Sequence, residues 1–156
     1  MAKIIMDRRA GDNKYLHRDF HLTADVGIRY VGDNYGDEGI KEYLTDYTLS
    51  FYKLMIADIK EKGLVVLKEY LEKIYAAEEA EDALSVTLSD NELHVNIKYC
   101  PAVTYMKSQG RTPSKWYIET TRIVYDVIAK ECGYVFNLIS YSEEDGKSEW
   151  VIGGKK

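Results

Sequence analysis

Apolar residues recur at helical spacing through the first half of the chain, which predicts three helices there. The capping residues Asp12 and Asn13 mark the start of the first helix, and the glycine-containing stretch 31–36 marks its end. Gly63 separates the second helix from the third, which ends in an acidic run typical of a solvated helix end. The expected helices span 12–30, 37–62 with a bend near 48–50, and 64 to the acidic run at 78–82.

In the second half, apolar residues alternate with polar ones, which predicts strands with one buried face. The pair Asp90-Asn91 lies between two such runs and predicts a hairpin turn. Pro101 follows the second run directly and fits the first position of a short helix, and Thr112-Pro113 is expected to cap a longer one. The expected strands are 84–89, 93–99, 134–141 and 147–152, and the expected helices are 101–108 and 112–131.

The order of these elements is helices, hairpin, helices, hairpin, which predicts an α+β fold. We expect an antiparallel sheet of about four strands, formed by the two hairpins, with the helices packed on one face. The chain has 156 residues, and no linker, internal repeat or low-complexity segment divides it. Residues 1–156 are therefore expected to form a single domain.

Composition and charge argue against several classes of protein. The net charge of -5 disfavours nonspecific binding to nucleic acid. The apolar runs fall far short of the ~20 residues that a membrane span requires, and the start of the chain lacks the apolar core of a secretory signal. Two cysteines, Cys100 and Cys132, give neither a disulfide framework nor a four-ligand zinc pattern. We therefore expect a cytoplasmic protein with free thiols.

Tyrosine is unusually abundant, with 14 residues against 3 phenylalanines. Because a buried tyrosine needs a partner for its hydroxyl group, many of these rings are expected to line a cleft or a subunit contact, as in a homodimer. The alternative is that they fill the edges of amphipathic helices.

The first helix carries a row of three polar residues, His17, His21 and Asp25, spaced four residues apart. On a helical wheel, His17 falls inside the apolar face, His21 at its edge and Asp25 just beyond it. Such a row can place an imidazole as a general base, or bind a metal ion through two imidazoles and a carboxylate. In the structural alternative, His17 bonds a backbone or tyrosine oxygen, while His21 and Asp25 form a surface pair.

Cys100 ends a predicted strand and directly precedes Pro101, so it is expected at the N-cap of the next helix. Backbone N–H groups and the helix dipole stabilise a thiolate at that position and can lower the pKa of the thiol. An attacking cysteine benefits from this placement. The alternative is a small buried residue at the end of a strand, since cysteine is among the most often buried residue types.

Two further residues are candidates for substrate contacts. Arg111, in the loop between two predicted helices, can hold a carboxylate, although an arginine in such a loop is more often an ordinary surface residue. Glu119 lies beside the apolar stripe of its helix. It is expected either to enter a cleft as an acid or base, or to pair with a lysine.

At the run Tyr99-Cys100-Pro101-Ala102-Val103 the chain resembles members of the L-2-amino-thiazoline-4-carboxylic acid hydrolase family. The stretch Tyr15-Leu16-His17-Arg18-Asp19-Phe20-His21 adds to the resemblance, as does the order of elements. That order is also similar to the order in vinyl-reductase-like domains and TRAPP-subunit trafficking domains, which bind small molecules, metals or acyl chains. The resemblance implies a ring-opening hydrolysis of a thiazoline, with roles for Cys100, His17 and His21.

Three hypotheses follow. In the first, the protein is a hydrolase of a non-peptide C–N bond in a small amidine or cyclic substrate, with the Cys100 thiolate as nucleophile and His17 or His21 moving the proton. In the second, a tyrosine- and leucine-lined pocket binds a small apolar ligand without chemistry, or the protein dimerises. In the third and weakest, these two histidines and Cys100 bind a metal ion. The first two hypotheses require no cofactor.

Overall fold

The structure, a computed structural model, describes the backbone of residues 14–154 and the side chains of residues 20–154. Within that part of the chain it contains five α-helices, one short 3₁₀ turn and four strands. The helices are α1 (Lys14–Phe51), α2 (Lys53–Lys62), α3 (Val65–Ala77), α4 (Pro101–Ser108) and α5 (Glu119–Glu131), and the 3₁₀ turn is Glu81–Ala83. The strands are β1 (Leu84–Ser89), β2 (Glu92–Ile97), β3 (Val135–Tyr141) and β4 (Ser148–Gly153).

The four strands form one antiparallel sheet in the order β1-β2-β4-β3. In the first hairpin, Leu84 pairs with Ile97, and the turn residues Asp90 and Asn91 both have positive φ angles, of 44° and 70°. Asp and Asn tolerate this conformation, which matches the twist of the flanking strands. The predicted turn is therefore confirmed, and the second hairpin joins the first through the pairing of β2 with β4.

One face of the sheet is covered by helices, because that face carries most of the apolar residues of the strands. In β2, buried and exposed side chains alternate along the whole strand, and Trp150 of β4 is completely buried. The α3 residues Leu67, Leu71 and Tyr75, spaced four apart, pack into the same core as Trp150, together with the buried face of α5. The predicted α+β fold, with a four-stranded antiparallel sheet and helices on one face, is confirmed.

The interruptions of the first long helical region are smaller than the sequence predicts. The helix continues through residues 31–35 and is kinked only at Gly36, which has φ 66° and ψ -160°. The bend expected near residues 48–50 lies slightly later, at Tyr52 between α1 and α2. The predicted caps Asp12 and Asn13 lie outside the described residues.

The helix predicted to begin at Thr112-Pro113 begins seven residues later, at Glu119. The intervening backbone is held by α1 instead. The Ser114 N–H group donates to Oδ1 of Asp25 at 2.7 Å, and the indole N–H of Trp116 donates to Asp37 at 2.7 Å. These long-range bonds impose a series of tight turns on the segment before α5, and the local Thr-Pro signal could not reveal them.

A second apolar cluster joins α1 to α4 on the other side of the site described below. Ile28, Ile40 and Leu44 of α1 pack against Val103 and Met106 of α4. No helix within the described residues is long and apolar enough to cross a membrane. The two clusters leave a space between them, and that space contains the candidate site.

Candidate functional site

A cavity of about 330 Å³ lies between α1, the end of α3, and the first turns of α4 and α5. The end of β3 and the start of β4 close it on the remaining side, at Tyr141, Gly146 and Ser148. Its volume is about ten times the ~30 Å³ that one water molecule occupies in the liquid. The cavity therefore has room for a small organic molecule.

Tyrosine dominates the lining of this cavity. Seven tyrosines contribute to it, from three helices, one strand and the connecting segments before α2 and α5: Tyr43, Tyr47, Tyr52, Tyr75, Tyr117, Tyr125 and Tyr141. Burial raises the pKa of six of them above the ordinary value: Tyr47, Tyr52, Tyr75, Tyr117, Tyr125 and Tyr141. These six side chains consequently remain neutral phenols at physiological pH. They present aromatic faces and hydroxyl groups in surroundings of low polarity.

Cys100 lies in the wall of the cavity, at the N-cap of α4, with extended backbone angles of φ -89° and ψ 119°. The backbone N–H groups of Ala102 and Val103, at the start of α4, lower the pKa of the thiol and so favour the thiolate. Its own N–H donates to the carbonyl of Asp145 at 2.7 Å, which ties it to the turn of the second hairpin. The thiol therefore lies at the helix N-cap, as predicted from the sequence.

The pKa of the Cys100 thiol nevertheless moves in the direction opposite to the prediction. Burial raises it above the ordinary thiol value, and the two N–H groups together lower it by less. The Glu78 carboxylate raises it further. The thiol also lies near enough to four tyrosines of the lining to raise their pKa values in turn. Cys100 is consequently a neutral thiol in the resting protein, half-buried among tyrosine rings.

His21 lines the same cavity and bonds Glu78, the residue that caps the C-terminal end of α3. The distance from Nε2 of His21 to Oε1 of Glu78 is 2.6 Å. The two side chains are 17% and 5% exposed, so the pair is shielded from solvent. If Glu78 is ionised, it fixes the proton on Nε2, and Nδ1 is then the nitrogen that acts as a base. The structure thus brings together Cys100, His21 and Glu78.

The other two members of the predicted histidine row behave differently. His17 belongs to α1, but its side chain lies outside the described residues, so the prediction made for it stays a prediction. Asp25 was expected just beyond the apolar face, either as part of a functional row with the histidines or as a surface partner of His21. Instead it is fully buried, accepts the Ser114 bond and lies 3.5 Å from the Arg29 guanidinium. Its role is structural, because it anchors the segment before α5 to α1.

Neither Arg111 nor Glu119 is among the residues that line the cavity. Arg111 is exposed in the loop after α4. Glu119 lines a separate groove between α1 and α5, and it pairs with Arg122 at 2.9 Å rather than with a lysine. Burial raises the pKa of Glu119, and the Arg122 charge opposes that effect. The structure does not bring either residue to Cys100.

The described side chains contain no group of three or more His, Cys, Asp and Glu residues that would hold a metal ion. The predicted set of His17, His21 and Cys100 includes one side chain outside that range. Within residues 20–154, His21 is engaged by Glu78 instead.

Sequence reasoning missed Glu78, Gly146 and most of the tyrosines of the site. Glu78 was assigned to a solvated helix end, yet it is buried. Gly146 lies between the third and fourth expected strands and was given no role, yet it packs directly against Cys100. The one available signal was compositional, because the excess of tyrosine over phenylalanine predicted a tyrosine-lined cleft without indicating which rings form it.

No protein-family model, curated protein or solved structure matches this chain significantly.

Proposed function

We propose that the protein binds a small, mainly apolar molecule in the tyrosine-lined cavity. The observation that carries this proposal is the cavity itself, about 330 Å³ in volume and lined by seven tyrosines. Small-molecule sites are concave and lined mainly by apolar and aromatic side chains, with a few polar groups that fix the orientation of the ligand. The tyrosine rings supply that lining here, and the tyrosine and threonine hydroxyl groups supply the hydrogen bonds.

Filling the cavity from its wall tests this proposal. Thr121 of α5 is half-buried and lines the cavity, so Thr121→Phe places a ring inside it. The matched control is Thr87→Phe, which adds the same atoms on the exposed face of β1. Binding of phenethyl alcohol, measured by calorimetry, is expected to weaken at least about tenfold in the first variant and to remain unchanged in the second. If the two variants bind the alcohol alike, or if the unmodified protein binds neither the alcohol nor its charged analogues phenethylamine and hydrocinnamate, the cavity is not a ligand site.

A second function, hydrolysis of a C–N bond in a small cyclic amidine, is favoured by the meeting of Cys100 and the His21–Glu78 pair in one cavity. Because the thiol is neutral at rest, His21 takes its proton as the sulfur bonds to the amidine carbon. The N–H groups of Ala102 and Val103 support charge that develops near the sulfur. The C–N bond breaks as its nitrogen is protonated, and water then releases the product from the sulfur.

The test is turnover of 2-amino-thiazoline, with and without its 4-carboxylate. Cys100→Ser and His21→Gln are each expected to lower kcat by at least about a hundredfold. Cys132→Ser is the control, because that thiol lies at the end of α5 and outside the cavity. Turnover that survives Cys100→Ser unchanged would exclude the mechanism and leave the binding function in place.

A further inference from the structure

The charged groups of the cavity are unevenly distributed. Among the described residues that line it, no lysine or arginine is present, and Glu78 is the one carboxylate. The remaining titratable groups are His21, Cys100 and the tyrosines, and burial keeps most of these tyrosines neutral. A carboxylate or phosphate ligand would therefore meet a negative charge in this cavity and find no described basic side chain to pair with. The charge distribution favours a cation.

The position of Glu78 adds to this preference. It lies at the C-terminal end of α3, where the unpaired carbonyl groups of a helix carry partial negative charge. Its side chain is 5% exposed, so solvent screens its charge weakly. A positively charged group in the cavity is attracted by the charge of Glu78 itself, and this holds alongside the bond to His21, since a carboxylate has two oxygens that accept several bonds.

The opposite end of the cavity carries a weaker charge of the other sign. The N-terminus of α4 lies there, since Pro101 and Ala102 also line the cavity, and the N–H groups of Ala102 and Val103 lower the pKa of the Cys100 thiol. A helix end corresponds to about half an elementary charge, so the full charge of a Glu78 carboxylate outweighs it.

Aromatic rings supply the second component of cation recognition. A positively charged nitrogen is attracted to the face of an aromatic ring within about 6 Å, and the attraction is strongest where water is excluded. Tyr75, Tyr117 and Tyr125 line the cavity and supply such rings. Burial and, to a smaller extent, the Glu78 charge raise the pKa of Tyr75 and Tyr117, so these two rings lie near the carboxylate. An ammonium group beside Glu78 would therefore also lie near aromatic rings.

We propose that the ligand of this cavity is an organic ammonium ion, with an apolar or aromatic body among the tyrosine rings and a positively charged nitrogen beside Glu78. This inference rests on the proposed binding function, because it specifies the class of ligand for the same cavity. If it is correct, ligands of the same size and shape bind with different affinities according to their charge.

Three probes of matched length and aromatic body test it: phenethylamine as the cation, phenethyl alcohol as the neutral molecule and hydrocinnamate as the anion. Calorimetry at about pH 8, above the range in which histidines ordinarily titrate, keeps the comparison simple. The amine is expected to bind at least about tenfold more tightly than the alcohol, and the anion more weakly than either. In Glu78→Gln the affinity for the amine is expected to fall at least about tenfold, whereas the affinity for the alcohol is expected to change less than about threefold.

Glu79→Gln is the matched control, because this neighbouring residue is exposed and does not line the cavity, and it is expected to bind all three probes as the unmodified protein does. If Glu78→Gln does not fold, as judged by circular dichroism, the comparison of the three probes on the unmodified protein decides the matter alone. If the alcohol binds and the anion binds as tightly as the amine or more tightly, the ammonium inference is overturned and the binding function still stands. Failure of all three probes to bind overturns both.

Discussion

Gly146 packs so closely against Cys100 that a Cβ atom added to it would come within 2.4 Å of the Cys100 Cβ atom. Gly146 also has a φ angle of 68°, which glycine adopts without strain. Both features arise because the turn between β3 and β4 folds over the N-terminal end of α4, where the Asp145 carbonyl accepts the N–H of Cys100. The second hairpin therefore fixes the position of the thiol in the cavity.

Gly146→Ala is accordingly expected to be more damaging than an ordinary glycine substitution. The added methyl group meets Cys100 and must displace either the turn or the start of α4, which costs about 1 to 3 kcal/mol beyond the backbone strain of about 1 to 2 kcal/mol. Gly110→Ala is the matched control, because Gly110 has a φ angle of 71° and nothing within 4 Å of the added atom. Urea unfolding measures both. Equal losses in the two variants would show that the contact with Cys100 carries no energetic weight.

The His21–Glu78 pair gives a second prediction, since the molecule contains a second pair of the same kind with a different degree of burial. His94 and Glu92 on β2 are also 2.6 Å apart, but their side chains are 52% and 48% exposed. His21→Leu is expected to lower the free energy of unfolding by about 1 to 3 kcal/mol, because the buried Glu78 carboxylate loses a hydrogen bond that water does not replace.

His94→Leu is expected to change the free energy of unfolding by less than about 1 kcal/mol, since solvent replaces an exposed partner. The comparison uses the same substitution at the same donor–acceptor distance, so burial is the main variable. A loss in His94→Leu as large as that in His21→Leu would mean that burial does not determine the strength of the pair.

The parts of this molecule that could be predicted from sequence are those set by neighbouring residues. The alternation in β1 and β2, the turn at Asp90-Asn91 and the start of α4 at Pro101 all appear within one or two residues of the expected positions. Cys100 could be placed at a helix N-cap for the same reason, because a strand end followed by proline is a local signal.

The features that could not be predicted depend on residues far apart in the chain. His21 and Glu78 are 57 positions apart, and the acidic character of residues 78–82 indicated solvent rather than a buried partner. The predicted direction of the Cys100 pKa shift was wrong. The sequence indicated the local effect of the helix N-terminus, but it did not indicate the burial that α1, α5 and the second hairpin provide. Tertiary packing reversed the local effect.

The burial of Asp25 also depends on a residue far away in the chain, and it gives a third prediction. Its carboxylate is completely buried and accepts the Ser114 N–H, 89 residues away, which holds the segment before α5 against α1. Asp25→Ala leaves that N–H without its acceptor, and a loss of about 1 to 3 kcal/mol in unfolding free energy is expected. Asp33→Ala, at an exposed position of the same helix, is expected to be nearly neutral. Hydrogen exchange at Ser114 is the specific measurement, and unchanged protection there in Asp25→Ala would contradict the anchoring role.

The buried tyrosines of the cavity predict that the fold is sensitive to alkaline pH. Burial raises the pKa of Tyr117 and Tyr125 well above 10.0, the ordinary value. The unfolded chain therefore loses these protons at lower pH than the folded protein, so the associated stability is complete below about pH 10 and is lost as the pH rises further. One pH unit above the ordinary value, each group accounts for up to about 1.4 kcal/mol of the free energy of unfolding.

Urea unfolding between about pH 9 and pH 11 is expected to show a steep loss of stability. Tyr117→Phe with Tyr125→Phe should reduce that loss by up to about 3 kcal/mol, whereas Tyr30→Phe with Tyr35→Phe, at exposed positions of α1, should leave it unchanged. A flat stability profile, or an equal effect of the two double variants, would mean that these phenols are solvated in the folded protein and that the cavity they line is open to water.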